Sequence, residues 1–232
     1  MKAKRNQEQT SGYMAQRRQI LSKNTNFAIQ EAYKSLRTNI SFSIRGNKCK
    51  KFCITSGASG EGKSITLLNL AISIAQTGKK VLLIDADMRR PAIARLLVEQ
   101  ASPGLSEVLV GAVNEEDAIR KEVYSNLDIL FSGEIPPNPS ELLTGDRMQQ
   151  LIDTNAEKYD YILVDTPPAA VVTDACIVAS MLDGVLLLVW QNRSRKDAVK
   201  QAVNNLQLTG ANILGYVLNG VVPQSRRYYG NY

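Results

Sequence analysis

The sequence predicts an α/β fold, a three-layer arrangement in which a mostly parallel central sheet is covered by helices on both faces. Two patterns carry this. Short apolar runs of strand length, at 51–55, 81–84, 127–131, 161–164, 185–189 and 213–218, alternate with segments of helical periodicity. Three of those runs also open into turns rich in glycine, aspartate or proline, where ligands of parallel sheets bind.

Taken in order, Ile29, Tyr33, Leu36 and Ile40 recur at spacings of four, three and four and predict a helix over 27–42. Strand 51–55 leads into a glycine-rich turn over 57–62. A helix follows at 64–77, with Leu67, Leu68, Ala71, Ile74 and Ala75 on one side and Gly78 as its stop. The uninterrupted apolar run 81–84 suits a strand buried on both faces. After strand 127–131, a helix is expected from Pro139 to about 155. Asn138 is its cap, Pro139 takes its first position and Glu141 is placed to return a capping hydrogen bond. Strand 161–164, a helix near 174–181, strand 185–189, helix 196–206 and strand 213–218 complete the series. The expected organisation is a basic flexible leader (1–26), one folded body (27–222) and a tyrosine-rich tail (223–232).

Composition excludes several function classes. The 232 residues include no histidine, so histidine triads and histidine metal sites are ruled out. Three cysteines, Cys49, Cys53 and Cys176, show no metal-type pairing and fit a reducing compartment. No apolar run approaches the ~20 residues of a membrane span, and residues 1–10 lack the apolar stretch of a secretory signal. A soluble cytoplasmic protein is expected. The formal charge is +6, but residues 1–24 hold six basic groups and one acid, so the body is nearly neutral. Nucleic acid is therefore not an expected partner. The basic leader reads as a mobile tail or as an attachment to an anionic membrane surface.

Gly57, Ala58, Ser59, Gly60, Glu61, Gly62, Lys63 and Ser64 match G-x-x-x-x-G-K-[ST] between a strand and a helix, the phosphate-binding P-loop. The glycines let successive N–H groups converge on phosphate oxygens at a helix N-terminus. Lys63 would reach the β- and γ-phosphates, and the Ser64 hydroxyl would bind Mg²⁺. Two apolar runs end in Asp85-Ala86-Asp87 and in Asp165-Thr166-Pro167-Pro168, the strand-end carboxylates that hold Mg²⁺ in such sites. Asp87 and Asp165 are the metal candidates with Ser64. A third carboxylate, Asp85, is left to accept a proton. Asn219, after the last apolar run, either hydrogen-bonds a purine edge or turns the strand into a loop. Arg89 either binds a phosphate or holds its loop. Tyr228, Tyr229 and Tyr232 fall within the last five residues, as exposed phenols on a tether or as a tail packed on a neighbour.

Together these residues resemble the bacterial tyrosine kinase family of capsule and exopolysaccharide export. The resemblance rests on Gly-Glu-Gly-Lys-Ser at 60–64, Asp85-x-Asp87-x-Arg89, Val-Asp-Thr-Pro-Pro at 164–168, Pro-Asn-Pro-Ser-Glu-Leu at 137–142 and the tyrosine-rich end. It implies a P-loop nucleoside-triphosphatase fold, ATP and Mg²⁺, and phosphorylation of Tyr228, Tyr229 and Tyr232 between subunits. Lys63, Asp85, Asp87 and Asp165 would be its catalytic residues. It also implies a separate transmembrane activator of the polysaccharide co-polymerase kind, recruitment to the inner membrane face, a ring-like homo-oligomer and a cognate tyrosine phosphatase. The family's E-x-x-R-x-x-R oligomerisation motif corresponds to Glu31, Lys34 and Arg37, with lysine in place of the first arginine. The rival reading is an ATP switch of the septum-positioning and partitioning type. Those proteins carry an extra lysine early in the P-loop, and residues 57–61 here contain none.

Overall fold

A computed structural model of the chain describes residues 17–221. Its elements run α1 (Phe27–Ser43), β1 (Lys50–Ser56), α2 (Lys63–Ala75), β2 (Val81–Asp85), α3 (Ile93–Leu97), α4 (Leu105–Val110), α5 (Glu115–Ala118) and β3 (Arg120–Tyr124). They continue with β4 (Leu127–Leu130), α6 (Pro139–Thr144), α7 (Asp146–Ala156), β5 (Tyr161–Asp165), α8 (Asp174–Ala179), β6 (Gly184–Trp190), α9 (Lys196–Leu208) and β7 (Ile213–Asn219).

The seven strands order as β3-β4-β2-β5-β1-β6-β7, parallel throughout except for the antiparallel edge pair β3–β4. Alternate side chains of the central strands go to opposite faces. Phe52, Ile54, Leu83 and Leu163 pack with Ile40 of α1 and the apolar side of α2. Cys53, Leu82, Ile84, Ile162 and Val164 pack with α6–α9, including Leu143, Leu151, Val178 and Leu206. All of these side chains are buried, so the sheet is covered on both sides as expected. Because β1, β2 and β5 are parallel neighbours, their carboxyl ends, Ser56, Asp85 and Asp165, open on one edge.

Four local features differ from the expectation. The helix from Pro139 is two helices, because Gly145 adopts extended backbone (φ −69°, ψ 153°) between α6 and α7. Pro139 does open α6, but the Asn138 side chain makes no capping bond and instead donates to Glu141 Oε2 at 2.5 Å. The three short helices α3–α5, of four to six residues, are too brief to show a helical period in the sequence. Edge strand β3 is mostly polar, with a register irregularity and Glu122 at φ 51°, so it lacks the apolar alternation of a half-buried strand.

Residues 19–21, expected within the flexible leader, are anchored on the folded body. Leu21 is buried against the α1–α2 face. Its N–H donates to Asn69 Oδ1 of α2 at 2.7 Å, and Asn69 Nδ2 donates back to the Gln19 carbonyl at 2.9 Å. One buried carboxamide thus satisfies two backbone groups and straps residues 19–21 to the P-loop helix. Leu21→Ala should lower unfolding stability by about 2 kcal/mol in urea titration; an unchanged midpoint would mean that the strap is not held.

Candidate nucleotide and metal site

The turn between β1 and α2 is shaped by glycines in different ways. Gly60 and Gly62 have φ of +77° and +92°, conformations that L side chains rarely adopt. At Gly57 the limit is space, since a Cβ there would lie 2.9 Å from the Ala198 carbonyl carbon at the start of α9. The coil ends at Gly62, the residue before α2, so the unpaired N–H groups of the first α2 turn open onto the loop. Lys63 is buried and Ser64 half-buried.

Glu61 does not present its carboxylate to the phosphate position. It is buried, accepts the Ala58 N–H at 3.3 Å and accepts the Ser194 hydroxyl. Ser194 in turn accepts the Trp190 N–H at 2.7 Å. Asn219 Nδ2 donates to the Glu61 carbonyl at 2.9 Å, while its Oδ1 accepts the Gly220 N–H at 2.8 Å. Asn219 therefore turns the end of β7 and also ties that end to the P-loop. Trp190 and Ser194 carry no motif. Their part in the site arises only because β6 and β7 end beside the loop.

The three aspartates converge, and each is treated differently. Asp85 and Asp165 lie opposite one another in the β2–β5 register, both fully buried. Asp85 accepts the Asp87 and Ile93 N–H groups at 3.3 and 3.1 Å. Burial first, and then the Asp165 charge, raise its proton affinity well above that of an ordinary carboxyl. Neither oxygen of Asp165 has a hydrogen-bond partner. Burial raises its pKa too, against the pull of the Lys63 ammonium and with the push of Asp87. Ser64 also faces this carboxylate and lowers its proton affinity, without reaching hydrogen-bond geometry. Asp87 lines the open cleft beside Lys63 and Ser64 and accepts the Arg90 N–H at 3.0 Å. Asp85, expected as the proton acceptor, is closed off from that cleft by its own loop, whereas Asp87 reaches it.

A buried carboxylate with two bare oxygens, beside a serine hydroxyl at the foot of a glycine cradle, fits a divalent cation. Mg²⁺ takes one or two carboxylates together with phosphates and water, so Asp165, Asp87 and Ser64 form a sufficient protein donor set. Among the described residues, no group of three histidine, cysteine, aspartate or glutamate side chains forms an all-protein cage.

Of its two possible roles, Arg89 takes that of holding its loop. Its Nε and Nη2 donate to both oxygens of Asp174 at 2.8 and 3.0 Å, and Nη2 also reaches Ser140 Oγ at 2.8 Å. Ser140 donates to the same carboxylate at 2.6 Å. Asp174 is wholly buried, and this clasp binds the Asp85–Asp87 loop to α6 and α8. In the sequence, Asp174 reads only as a helix-start acid. Nothing local pairs it with a residue 85 positions earlier.

The remaining expected residues lie elsewhere. Glu31 and Lys34 pair with each other at 2.7 Å on exposed α1. Arg37 instead turns inward and donates to the Ser73 carbonyl of α2, so the three do not present a common outward face. Tyr228, Tyr229 and Tyr232 lie outside the described residues.

Comparison with known proteins agrees with this fold. A family model described as an AAA domain matches residues 49–213. Tyrosine-protein kinase YwqD of Bacillus subtilis is 39% identical over 202 residues, covering 87% of this chain and 85% of that protein. The kinase domain of the Escherichia coli tyrosine kinase ETK superposes with a TM-score of 0.81 at 36% identity, over 86% of this chain and 78% of the other. The septum site-determining protein MinD of Pyrococcus horikoshii, solved with Mg-ADP, gives a TM-score of 0.63 at 26% identity, over 73% and 70% of the two chains.

Two substitutions test the site. Asp165→Asn removes a buried charge without partners and should raise the stability of the nucleotide-free protein by about 1–3 kcal/mol. It should also abolish the further stabilisation that Mg·ATP gives the wild type; a lower nucleotide-free midpoint would contradict this account. Asp174→Asn should cost about 2–3 kcal/mol at pH 7, below the full value of a buried pair because Arg89 is partly exposed. The Asp174 pKa is lowered, with burial opposed by the Arg89 and Ser140 hydrogen bonds. Its stabilisation is therefore present above the unfolded value near ~4 and is lost as pH falls through the folded one. The wild-type advantage in urea titrations should close below about pH 4.

Proposed function

Because the chain belongs to the bacterial tyrosine-protein kinase family, we propose that it is an ATP-dependent protein-tyrosine kinase. Its acceptors are its own C-terminal tyrosines, Tyr228, Tyr229 and Tyr232, offered between subunits, and its role is the control of capsule or exopolysaccharide synthesis and export. One observation supports phosphoryl transfer beyond simple nucleotide binding. Besides Asp87 and Asp165, a third carboxylate, Asp85, lies buried directly across from Asp165 and behind the cleft, where a Mg²⁺–nucleotide complex needs only one or two.

The residues divide the work as follows. The loop N–H groups from 57 to 62 and Lys63 hold the triphosphate and neutralise the transferring group. Ser64, Asp87 and Asp165 would hold Mg²⁺, which would supply charge neutralisation to the transferring phosphoryl group. A tyrosine oxygen bonds to the γ-phosphorus, the bond to the β–γ bridging oxygen breaks, and ADP leaves with that oxygen. The phenol, with an ordinary pKa near ~10, gives its proton to a carboxylate. Asp85 is assigned that proton because burial and the Asp165 charge raise its proton affinity. For it to act, the loop from 85 to 93 must release one of the two N–H bonds it makes to Asp85. Asp87 is the second reading, favoured by its place in the cleft.

Among the described residues no helix is long and apolar enough to cross a membrane. On the family resemblance, membrane recruitment is assigned to a separate transmembrane activator, assembly to a ring-like homo-oligomer through α1, and reversal to a cognate tyrosine phosphatase. The alternative, an ATP switch without kinase activity, is disfavoured by the tyrosine tail and by the lack of lysine in residues 57–61.

Incubation with labelled ATP and Mg²⁺, followed by phosphotyrosine mapping, tests the proposal. Label is expected within residues 228–232, abolished in Asp85→Asn with ATP binding retained. Released phosphate without protein label means the ATP switch, and wild-type labelling by Asp85→Asn with loss in Asp87→Asn moves the base to Asp87.

A further inference from the structure

The P-loop end accounts for only part of the cleft. The cavity measures about 1000 Å³, at the upper end for small-molecule sites, and runs from Gly60 and Lys63 to a second wall formed by Gly133, Glu134 and Ile135. That wall is fixed from behind. Glu107 of α4 accepts the Glu134 N–H at 3.0 Å, the Gly104 N–H at 2.8 Å and the Ser102 and Ser106 hydroxyls at 3.0 and 3.1 Å. The Leu105 and Ser106 N–H groups bond the Phe131 and Ser132 carbonyls at 2.7 and 3.0 Å. The approach is so close that a Cβ on Gly133, already at φ +79°, would overlap Glu107 and Ser106.

A segment pinned by its backbone leaves its side chains free to recognise something. Ile135 is 65% exposed on the cleft wall, a large apolar side chain beside solvent. Glu134 is exposed next to it, and its carboxylate has no ion-pair partner among the described residues. Arg90, on the loop that carries Asp87, and Arg95 of α3 also line the cleft. Glu134 and Ile135 thus put a negative charge beside an apolar surface on this wall of the cleft. The tail has matching chemistry. Arg226 and Arg227 immediately precede Tyr228, and residues 223–232 contain no acid.

We infer that Glu134 and Ile135 form an acceptor-peptide subsite, Ile135 packing on the phenol ring and Glu134 selecting tyrosines preceded by basic residues. This rests on the kinase reading only for its consequence, since the subsite itself is a matter of peptide binding. Glu107 acts as a positioning residue behind it.

The test uses the full chain with Mg·ADP and three fluorescent heptapeptides: the chain's own RRYYGNY, and QQYYGNY and EEYYGNY. Binding is read by anisotropy, and phosphorylation by Mg·ATP is read separately. Competition from the chain's own tail affects all three alike. The wild type should bind the arginine peptide about fivefold more tightly than the glutamine one, the scale of an exposed ion pair, with the glutamate peptide weaker still. High salt should shrink the ratio. Glu134→Lys, which keeps the backbone N–H that Glu107 holds, should reverse the order. Ile135→Ser should weaken all three peptides while leaving their ratios unchanged. Equal binding of the three peptides by the wild type, or an order unaltered by Glu134→Lys, overturns the inference even if phosphorylation proceeds. Charge-ordered binding that Glu134→Lys reverses, with no phosphate transfer, upholds the subsite and removes the kinase function.

Discussion

A carboxylate held in the interior with neither oxygen hydrogen-bonded is an expensive thing to fold around, and Asp165 is such a group. Its cost explains much of the surrounding architecture. The β2–β5 register places a second carboxylate, Asp85, directly across from it; the Asp165 charge raises the proton affinity of Asp85, and the Asp87 charge raises that of Asp165. Lys63 supplies the one nearby ammonium that opposes this. Such an assembly is poised for the positive charge of a metal and for the N–H groups that a triphosphate brings into use. A bound cation there would restore the stability that such a group withholds from the free protein.

Around this floor, the loops are held by polar side chains buried just behind them. Glu61 and Asn219 hold the P-loop against the ends of β6 and β7. Asp174 holds the Asp85–Asp87 loop through Arg89, and Glu107 holds the Glu134 segment. In each case a carboxylate or carboxamide meets several donors or acceptors at once, an arrangement that fixes a loop more firmly than a single bond. Binding groups are then presented on a rigid frame, and less free energy is lost in ordering them when a ligand arrives. Trp190 shows how compact the frame is, since its indole packs against Gly62 and Gly220 and under the Arg193 guanidinium at 4.9 Å.

Much of the fold was legible because its signals are local. Apolar runs marked six of the seven strands, five largely buried and β7 partly exposed, and the periodic apolar side of α2 marked the helix they pack on. What escaped notice was either short or partnered at long range. Helices α3–α5 span four to six residues, and β3 pairs on one side only. Gly145 reads as one weak helix residue, yet the tertiary packing uses it as a break. Residues 17–26 look like a polar leader, but Leu21 is buried because Asn69, far along the chain, receives its backbone.

The P-loop, the two strand-end aspartate elements and the order of strands and helices along the chain are readable from residue type and spacing alone. Each depends on residues a few positions apart, where backbone geometry links type and spacing directly to shape. That Asp85 is shut behind its loop while Asp87 faces the cleft follows from the packed chain and not from local spacing. So do the clasp of Arg89 on Asp174, the inward turn of Arg37 and the anchoring of its loop by Glu61. Those outcomes depend on which strands lie side by side and how closely the chain ends approach. Such facts arise from packing distant segments around one sheet, and no local spacing encodes them.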